Sequence, residues 1–126
     1  MKLIYSFAVL LALAGAGIAR ATAPPVDISG TWVFSVDLEN GDHGDPTFVF
    51  KQEGDTLTGT YDGPLGEQRV TGVVKETKAV FGFEFTRDGA TTKVTYTGVI
   101  ESETKMSGTM EITGGPKGKW TATRNQ

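Results

Sequence analysis

The chain has 126 residues, with 12 basic and 15 acidic side chains, one histidine, no cysteine and a formal charge of −3 at pH 7. The lack of cysteine excludes disulfides and a lipid-modified N-terminal cysteine. The lack of a Lys or Arg cluster argues against nucleic acid or an anionic membrane as a partner. A chain this short has room for one domain with a single core.

The first segment, residues 1–23, has the composition of a signal peptide. Lys2 precedes an apolar run from Leu3 to Ile18, and the small residues of Ala19-Arg20-Ala21 follow, an order typical of exported proteins. The run is shorter than the roughly 20 residues of a spanning helix, so we expect no membrane span and predict cleavage after Ala21. The remaining chain would carry ten basic and fifteen acidic residues, a charge of −5. We expect a secreted or periplasmic protein.

Residues 24–126 are predicted to form a single all-β domain. In the run Ser29–Leu38, Trp32, Phe34 and Val36 alternate with outward residues, as in a half-buried strand. Seven more runs repeat this pattern: Thr47–Gln52, Thr56–Asp62, Glu67–Lys75, Lys78–Arg87, Thr91–Glu101, Thr104–Thr113 and Lys117–Arg124. Short Gly-, Asn- and Asp-containing links are typical of hairpins. The sequence therefore predicts an eight-stranded antiparallel up-and-down β-barrel.

Glycines in the middle of four runs favour a closed barrel over a flat sandwich. Gly59, Gly72, Gly98 and Gly108 all fall on the apolar face of their runs. A glycine weakens a strand unless the strand bends sharply or lets another backbone come close. A small closed barrel needs both.

Residues near the two ends of the predicted domain resemble the sequence signature of the calycins, a group that includes lipocalins, fatty-acid-binding proteins and avidins. The signature consists of Gly30-Thr31-Trp32 in the first strand and Arg124 in the last. The resemblance implies a calycin-like barrel in which Arg124 packs across Trp32 and closes one end, an arrangement that gains cation–π energy. Ser29–Trp32 and Leu57–Tyr61 are most similar to the first and third strands of avidins.

The avidin resemblance does not extend to the biotin site. Tyr61 matches an avidin ligand residue by its position in the motif, but Phe34, Val36 and Leu38 stand where an avidin offers polar side chains to the ureido group. The two tryptophans of the chain are also too few for the box that encloses biotin. A ureido group without polar partners would lose most of its affinity, so we do not expect biotin binding.

The predicted inward faces offer no catalytic chemistry, since they contain no Asp, Glu, His or Lys. The single histidine, His43, lies in the acidic loop Glu39–Asp45, whose carboxylates and imidazole would permit a cation site. No zinc or EF-hand spacing is met, and a solvated loop is the favoured interpretation. A triad built on Asp42 and His43 lacks a serine in a nucleophile context. We therefore expect no enzyme, no cofactor and no metal site.

The inward aromatic side chains are the better indication of function. An eight-stranded interior is wide enough either to be filled by side chains or to hold one small ligand. If the glycines lie toward one end, they leave an aromatic-walled cup with Tyr61 and Tyr96 as polar groups. We predict an exported, non-catalytic barrel that binds a small apolar or aromatic molecule through Trp32, Phe50, Tyr61, Phe83, Tyr96 and Trp120. The alternative is a structural or protein-interaction module whose rings form a solid core.

Overall fold

The computed structural model describes residues 26–125, which form one antiparallel sheet that closes on itself because β1 pairs with β9. The strands are β1 (Gly30–Leu38), β2 (His43–Gly44), β3 (Thr47–Glu53), β4 (Thr56–Gly63), β5 (Gly66–Lys75), β6 (Lys78–Arg87), β7 (Ala90–Ser102), β8 (Lys105–Ile112) and β9 (Lys117–Arg124). The predicted all-β antiparallel barrel is confirmed. The predicted signal peptide, residues 1–23, lies outside the described residues. Within residues 26–125 no helix has the length and apolarity that crossing a bilayer requires.

The short strand β2 is the first part of β3, so the barrel has eight strands. Both pair with β1 in one continuous register, given by the Cα partners Val36–Gly44 and Val33–Thr47. Pro46 separates them because it has no N–H to donate to the ladder, although its carbonyl accepts a bond from Phe34 N at 2.9 Å. The second barrel strand therefore begins at His43, earlier than the sequence pattern indicates.

One end of the barrel is closed by the residues that precede β1. Ile28 is fully buried there, and its N–H donates to Gln52 Oε1 at 2.9 Å. The Trp32 indole donates back to the Ile28 carbonyl at 3.0 Å. The Arg124 guanidinium carbon lies 5.0 Å from the centroid of the Trp32 ring, and its Nη2 donates to the Asp27 carbonyl at 2.6 Å. This end of the barrel is thus packed shut.

Aromatic rings fill the middle of the barrel. Phe34 lies at the centre of the cluster, with ring centroids 4.3 Å from Phe48, 4.8 Å from Trp120 and 5.8 Å from Tyr96. Phe81 stacks on Tyr96 at 5.4 Å and 11°. These offset and edge-on arrangements are the ones that aromatic pairs prefer. The middle layer is therefore a close-packed core.

Two mid-strand glycines show why a side chain is excluded from this wall. Gly98 and Gly108 are direct cross-strand partners in β7 and β8. A Cβ on Gly98 would lie 2.5 Å from the Trp120 ring, and one on Gly108 would collide with the Thr97 carbonyl oxygen. The backbone and indole come close here only because both positions are glycine.

The wall of the barrel opens between β5 and β6 at the end opposite Trp32. Pairing of these strands stops at Thr71 and Gly82, whereas the β4–β5 and β6–β7 ladders continue to their hairpin turns. In the same register, Val70 and Phe83 would be the next Cα partners, and Arg69 and Glu84 would be the next pair placed to exchange hydrogen bonds. The backbone groups of Arg69 and Glu84 that face each other have no partner in the β5–β6 ladder. The two residues lie near the β4–β5 and β6–β7 turns, so the opening is next to the open end of the barrel.

Candidate ligand-binding cleft

The open end of the barrel holds a cleft of about 410 Å³. Its rim is mainly apolar, and the apolar residues are Leu38, Leu65, Ile112, Pro46, Pro64 and Pro116. Proline fixes the backbone φ angle, so the three prolines stiffen the entrance. A volume of this size and an apolar lining are typical of small-molecule sites.

The inner wall of the cleft includes Tyr96 of β7. This residue is only 2% exposed, and its ring packs against Phe81 and Phe48 in the aromatic core. Burial, and to a smaller extent the neighbouring Tyr61, raises the pKa of Tyr96 well above its usual value. The hydroxyl group is therefore neutral at physiological pH, and no hydrogen bond joins it to any residue between 26 and 125.

Tyr61 of β4 supplies the second hydroxyl group of the cleft. Its oxygen accepts a long hydrogen bond from Leu65 N at 3.4 Å. Burial raises the pKa of Tyr61, although the Leu65 hydrogen bond partly opposes that shift. Since the oxygen already accepts one bond, the group has its O–H proton left to donate. The cleft thus presents two neutral phenolic donors.

The charged part of the rim comes from the turn between β1 and β2. Leu38 N donates to the Asp42 carbonyl and Gly41 N donates to the Leu38 carbonyl, both at 2.9 Å. Gly41 has a φ of 98°, which a glycine adopts without strain. The Asn40 side chain donates to Asp42 Oδ2 at 3.3 Å and accepts from Asp42 N at 2.9 Å. The turn therefore holds the Asp42 carboxylate at the rim.

His43 follows this turn, and both of its ring nitrogens contact carboxylates. Nδ1 lies 2.7 Å from Asp37 Oδ1, and Nε2 lies 2.9 Å from Asp45 Oδ1. Both nitrogens donate only when the ring is protonated, and these bonds, that to Asp37 first, raise the pKa of His43. Within residues 26–125 no group of three or more His, Cys, Asp or Glu side chains is placed to hold a metal ion.

The structure brings only two of the six predicted ligand-binding residues to this cleft, namely Tyr61 and Tyr96. Phe83 lies against Tyr61, with ring centroids 4.4 Å apart. Phe50 and Trp120 belong to the packed aromatic core, and Trp32 lies at the closed end. Sequence reasoning missed the rim, although Pro64 and Pro116 stand in the turn signals Asp62-Gly63-Pro64 and Gly114-Gly115-Pro116.

No protein-family model and no curated protein matches the chain. Solved structures of designed barrels do match. A redesigned β-barrel, b11L5F_LGL, is 18% identical, with a TM-score of 0.67 over 79% of this chain and 92% of that chain. The redesigned barrel mFAP1 bound to DFHBI is 17% identical, with a TM-score of 0.56 over 77% and 94%. A de novo designed fluorescence-activating β-barrel is 16% identical, with a TM-score of 0.58 over 77% and 93%. At identities this low, the TM-scores show a shared fold and nothing further.

Proposed function

We propose that the chain is an exported, non-catalytic barrel that binds a small apolar or aromatic molecule in the open-end cleft. The observation that carries this proposal is the Tyr96 hydroxyl group. The Tyr96 side chain is 2% exposed overall and lines the cleft. Its hydroxyl bonds to no residue between 26 and 125, and its oxygen is not among the fully buried unpaired side-chain atoms of that range, so the hydroxyl group opens into the cleft. An acceptor atom on a ligand would satisfy it.

The shape of the cleft supports the same proposal. About 410 Å³ is enough for a ligand of one to three rings. The proline-stiffened rim lowers the entropy that binding would cost. The structures of the redesigned barrels mFAP1 and mFAP0 were solved bound to DFHBI, so a barrel of this fold has room for a small molecule.

We propose a binding rather than a catalytic role because the cleft lacks reactive groups. Its titratable lining residues are Asp42, His43, Tyr61 and Tyr96, and no Ser, Thr, Cys or Lys lines it. Both nitrogens of His43 are engaged by carboxylates. A catalytic site needs several reactive groups that converge on a substrate, and the exposed Asp42 carboxylate has no such partner in the lining.

Export and kinship with the natural calycins are part of the proposal. The signal-like composition of residues 1–23 supports export to the periplasm or the cell exterior. The packing of Arg124 on Trp32 supports the calycin kinship.

The proposal is tested by thermal shift and native mass spectrometry against a retinoid, a flavonoid, a fatty acid, haem and DFHBI. We expect at least one compound to bind with one-to-one stoichiometry, and Tyr96→Phe to weaken it by about 1 kcal/mol. Thr97→Val, next in sequence but on the exposed outer face, is the matched control and should leave affinity unchanged. The absence of binding by every compound would overturn the proposal.

The filled middle layer favours a second candidate, an interaction module with a solid core. Its outer wall carries Val73, Val80 and Val99, each 45–50% exposed, and the first two are direct cross-strand partners. In that case the compounds would fail to bind, and Val73→Lys with Val80→Lys would abolish binding of a partner protein. An exposed apolar patch of this kind is a common feature of interaction surfaces.

A further inference from the structure

We infer that the cleft selects aromatic amines that carry a neutral hydrogen-bond acceptor on the ring, with the acceptor bound at the buried end and the ammonium at the rim. This inference rests on the proposed function and adds the chemical class of the ligand. It depends on two features of the cleft lining, the phenolic donors of Tyr61 and Tyr96 and the exposed carboxylate of Asp42.

The buried end favours a neutral acceptor. Tyr61 already accepts from Leu65 N and has its O–H left to donate, and Tyr96 has no partner among residues 26–125. A donor group on the ligand would leave both protons unpaired, at a cost that buried polar groups avoid. A carboxylate would face a different penalty, because no buried charged side chain lies among the described core residues to neutralise it.

The rim favours a cation. Asp42 and His43 are the charged residues that line the cleft, and both ring nitrogens of His43 are occupied by Asp37 and Asp45. The Asp42 carboxylate is exposed, and in the described structure only Asn40 donates to its side chain. It is therefore the lining charge available to a ligand.

The charges around the rim have the same sign on balance. Around the turns that join β1 to β2 and β8 to β9, the carboxylates are those of Asp37, Glu39, Asp42, Asp45 and Glu111, and the cations are His43 when protonated, Lys117 and Lys119. Lys117 is itself 3.9 Å from Glu111, and Lys119 is the cross-strand partner of Asp37. A negative rim attracts an ammonium ion and repels a carboxylate.

The space between these ends suits an aromatic ring. Leu38, Leu65 and Ile112 are half-buried and apolar, so a flat ring between them would cover surface that is now partly in water. The ligand is thus an amphipathic molecule with a neutral acceptor, an aromatic body and a terminal amine.

Calorimetry with three compounds that share one ring tests this inference. The probes are 5-methoxytryptamine, neutral 5-methoxyindole and 5-methoxyindole-3-acetate, at low ionic strength and pH 7. We expect the amine to bind about three- to fivefold more tightly than the acid, the range of an exposed ion pair, with the neutral compound between them. Tyr96→Phe should weaken all three by a similar factor.

Substitution of the rim carboxylate separates charge from shape. Asp42→Asn keeps the hydrogen-bonding turn and should remove most of the preference for the amine over the acid, since Asp42 is the lining carboxylate. Asp55→Asn removes the same charge from the β3–β4 turn at the closed end and should leave the preference intact. A circular dichroism melt of each variant verifies folding.

Equal affinities for the amine and the acid, or a preference that is undiminished in Asp42→Asn, would overturn the inference and leave the proposed function standing. The inference would also be overturned, and the proposed function kept, if another class of compound bound and none of the three methoxyindoles did. If no compound of either set binds, the proposed function fails and the inference fails with it.

Discussion

Arg124, in the last strand, lies over the ring of Trp32, in the first, with the guanidinium carbon 5.0 Å from the indole centroid. The two residues are also Cα partners in the β1–β9 ladder that closes the barrel. Each side chain holds the segment before β1, since Arg124 donates to the Asp27 carbonyl and Trp32 donates to the Ile28 carbonyl. The same two residues therefore pair the first strand with the last and hold the segment that covers the closed end.

Replacing Arg124 with methionine should lower the free energy of unfolding by about 2 kcal/mol. The substitution removes a cation–π contact and a charge-assisted hydrogen bond while retaining the apolar stem. Urea denaturation followed by tryptophan fluorescence measures the change. Arg87→Met is the matched control, because Arg87 lies 5.6 Å from the Phe85 ring on the exposed surface and should cost less than about 0.5 kcal/mol. Equal losses in the two variants would refute a special role for Arg124.

The ion pairs of His43 should make stability depend on pH near neutrality. The folded-state pKa is raised above 6.5 by Asp37 and Asp45, so the contribution to stability is complete below pH 6.5 and is lost as pH rises through the folded pKa. His43 is the only histidine, and its ring therefore gives a single NMR titration. Denaturation at several pH values should show the loss in the parent chain and not in His43→Gln. A measured pKa at or below 6.5 would contradict the ion pairs.

Much of the barrel could be predicted from the sequence because the signals are local. The period-two alternation and the Gly-, Asn- and Asp-rich links place seven of the strands within two residues of their observed bounds. His43–Gly44 was missed because Pro46 interrupts the pattern while the register with β1 continues across it. This continuity depends on how the two strands pair, and the sequence of one strand does not specify its partner.

The cleft was less predictable than the barrel. The alternation of inward and outward residues identifies four residues alike as inward, namely Tyr61, Tyr96, Phe50 and Trp120. It carries no information on how deep each one lies along the barrel axis. Depth depends on the stagger between strands, which places Trp120 in the core and Tyr96 at the cleft. The rim residues come from separate turns that meet only after the barrel has closed.

Substituting alanine at Gly98 should destabilise the barrel by about 1–3 kcal/mol, the usual cost of overpacking. The new methyl group would lie 2.5 Å from the Trp120 ring and 2.6 Å from the Ser107 carbonyl oxygen. Gly115→Ala provides a control, since its nearest neighbour is a side-chain methyl group of Ile112 at 3.2 Å. Thermal and urea melts compare the two variants. A Gly98→Ala variant as stable as the parent would show that Trp120 packs elsewhere.

Tyr96→Phe should leave the stability of the unliganded protein within about 0.5 kcal/mol of the parent. The hydroxyl group bonds to no residue between 26 and 125, so its removal breaks no hydrogen bond within that range. Chemical denaturation measures the difference. A loss above about 1.5 kcal/mol would mean that the hydroxyl has a partner within the protein.

The opening between β5 and β6 should appear in amide hydrogen exchange. Val74 N donates to Asp55 O on the β4 side, so alternate residues of β5, including Arg69 and Val73, direct their N–H groups toward β6. We expect Arg69 and Glu84, beyond the last pair, to exchange much faster than Val73 and Val80 within the ladder. NMR-detected exchange resolves these amides. Comparable protection at all four would show that the wall is continuous.

The most direct test of a ligand in the cleft is an amide NMR titration of the parent protein with each compound that raises its melting temperature. We predict saturable shifts at Leu38, Tyr96 and Met110, which line the cleft, and unchanged signals for Ile28 and Trp32 at the closed end. Shifts confined to the closed end or to the outer valines, or no shift with any compound, would contradict the account.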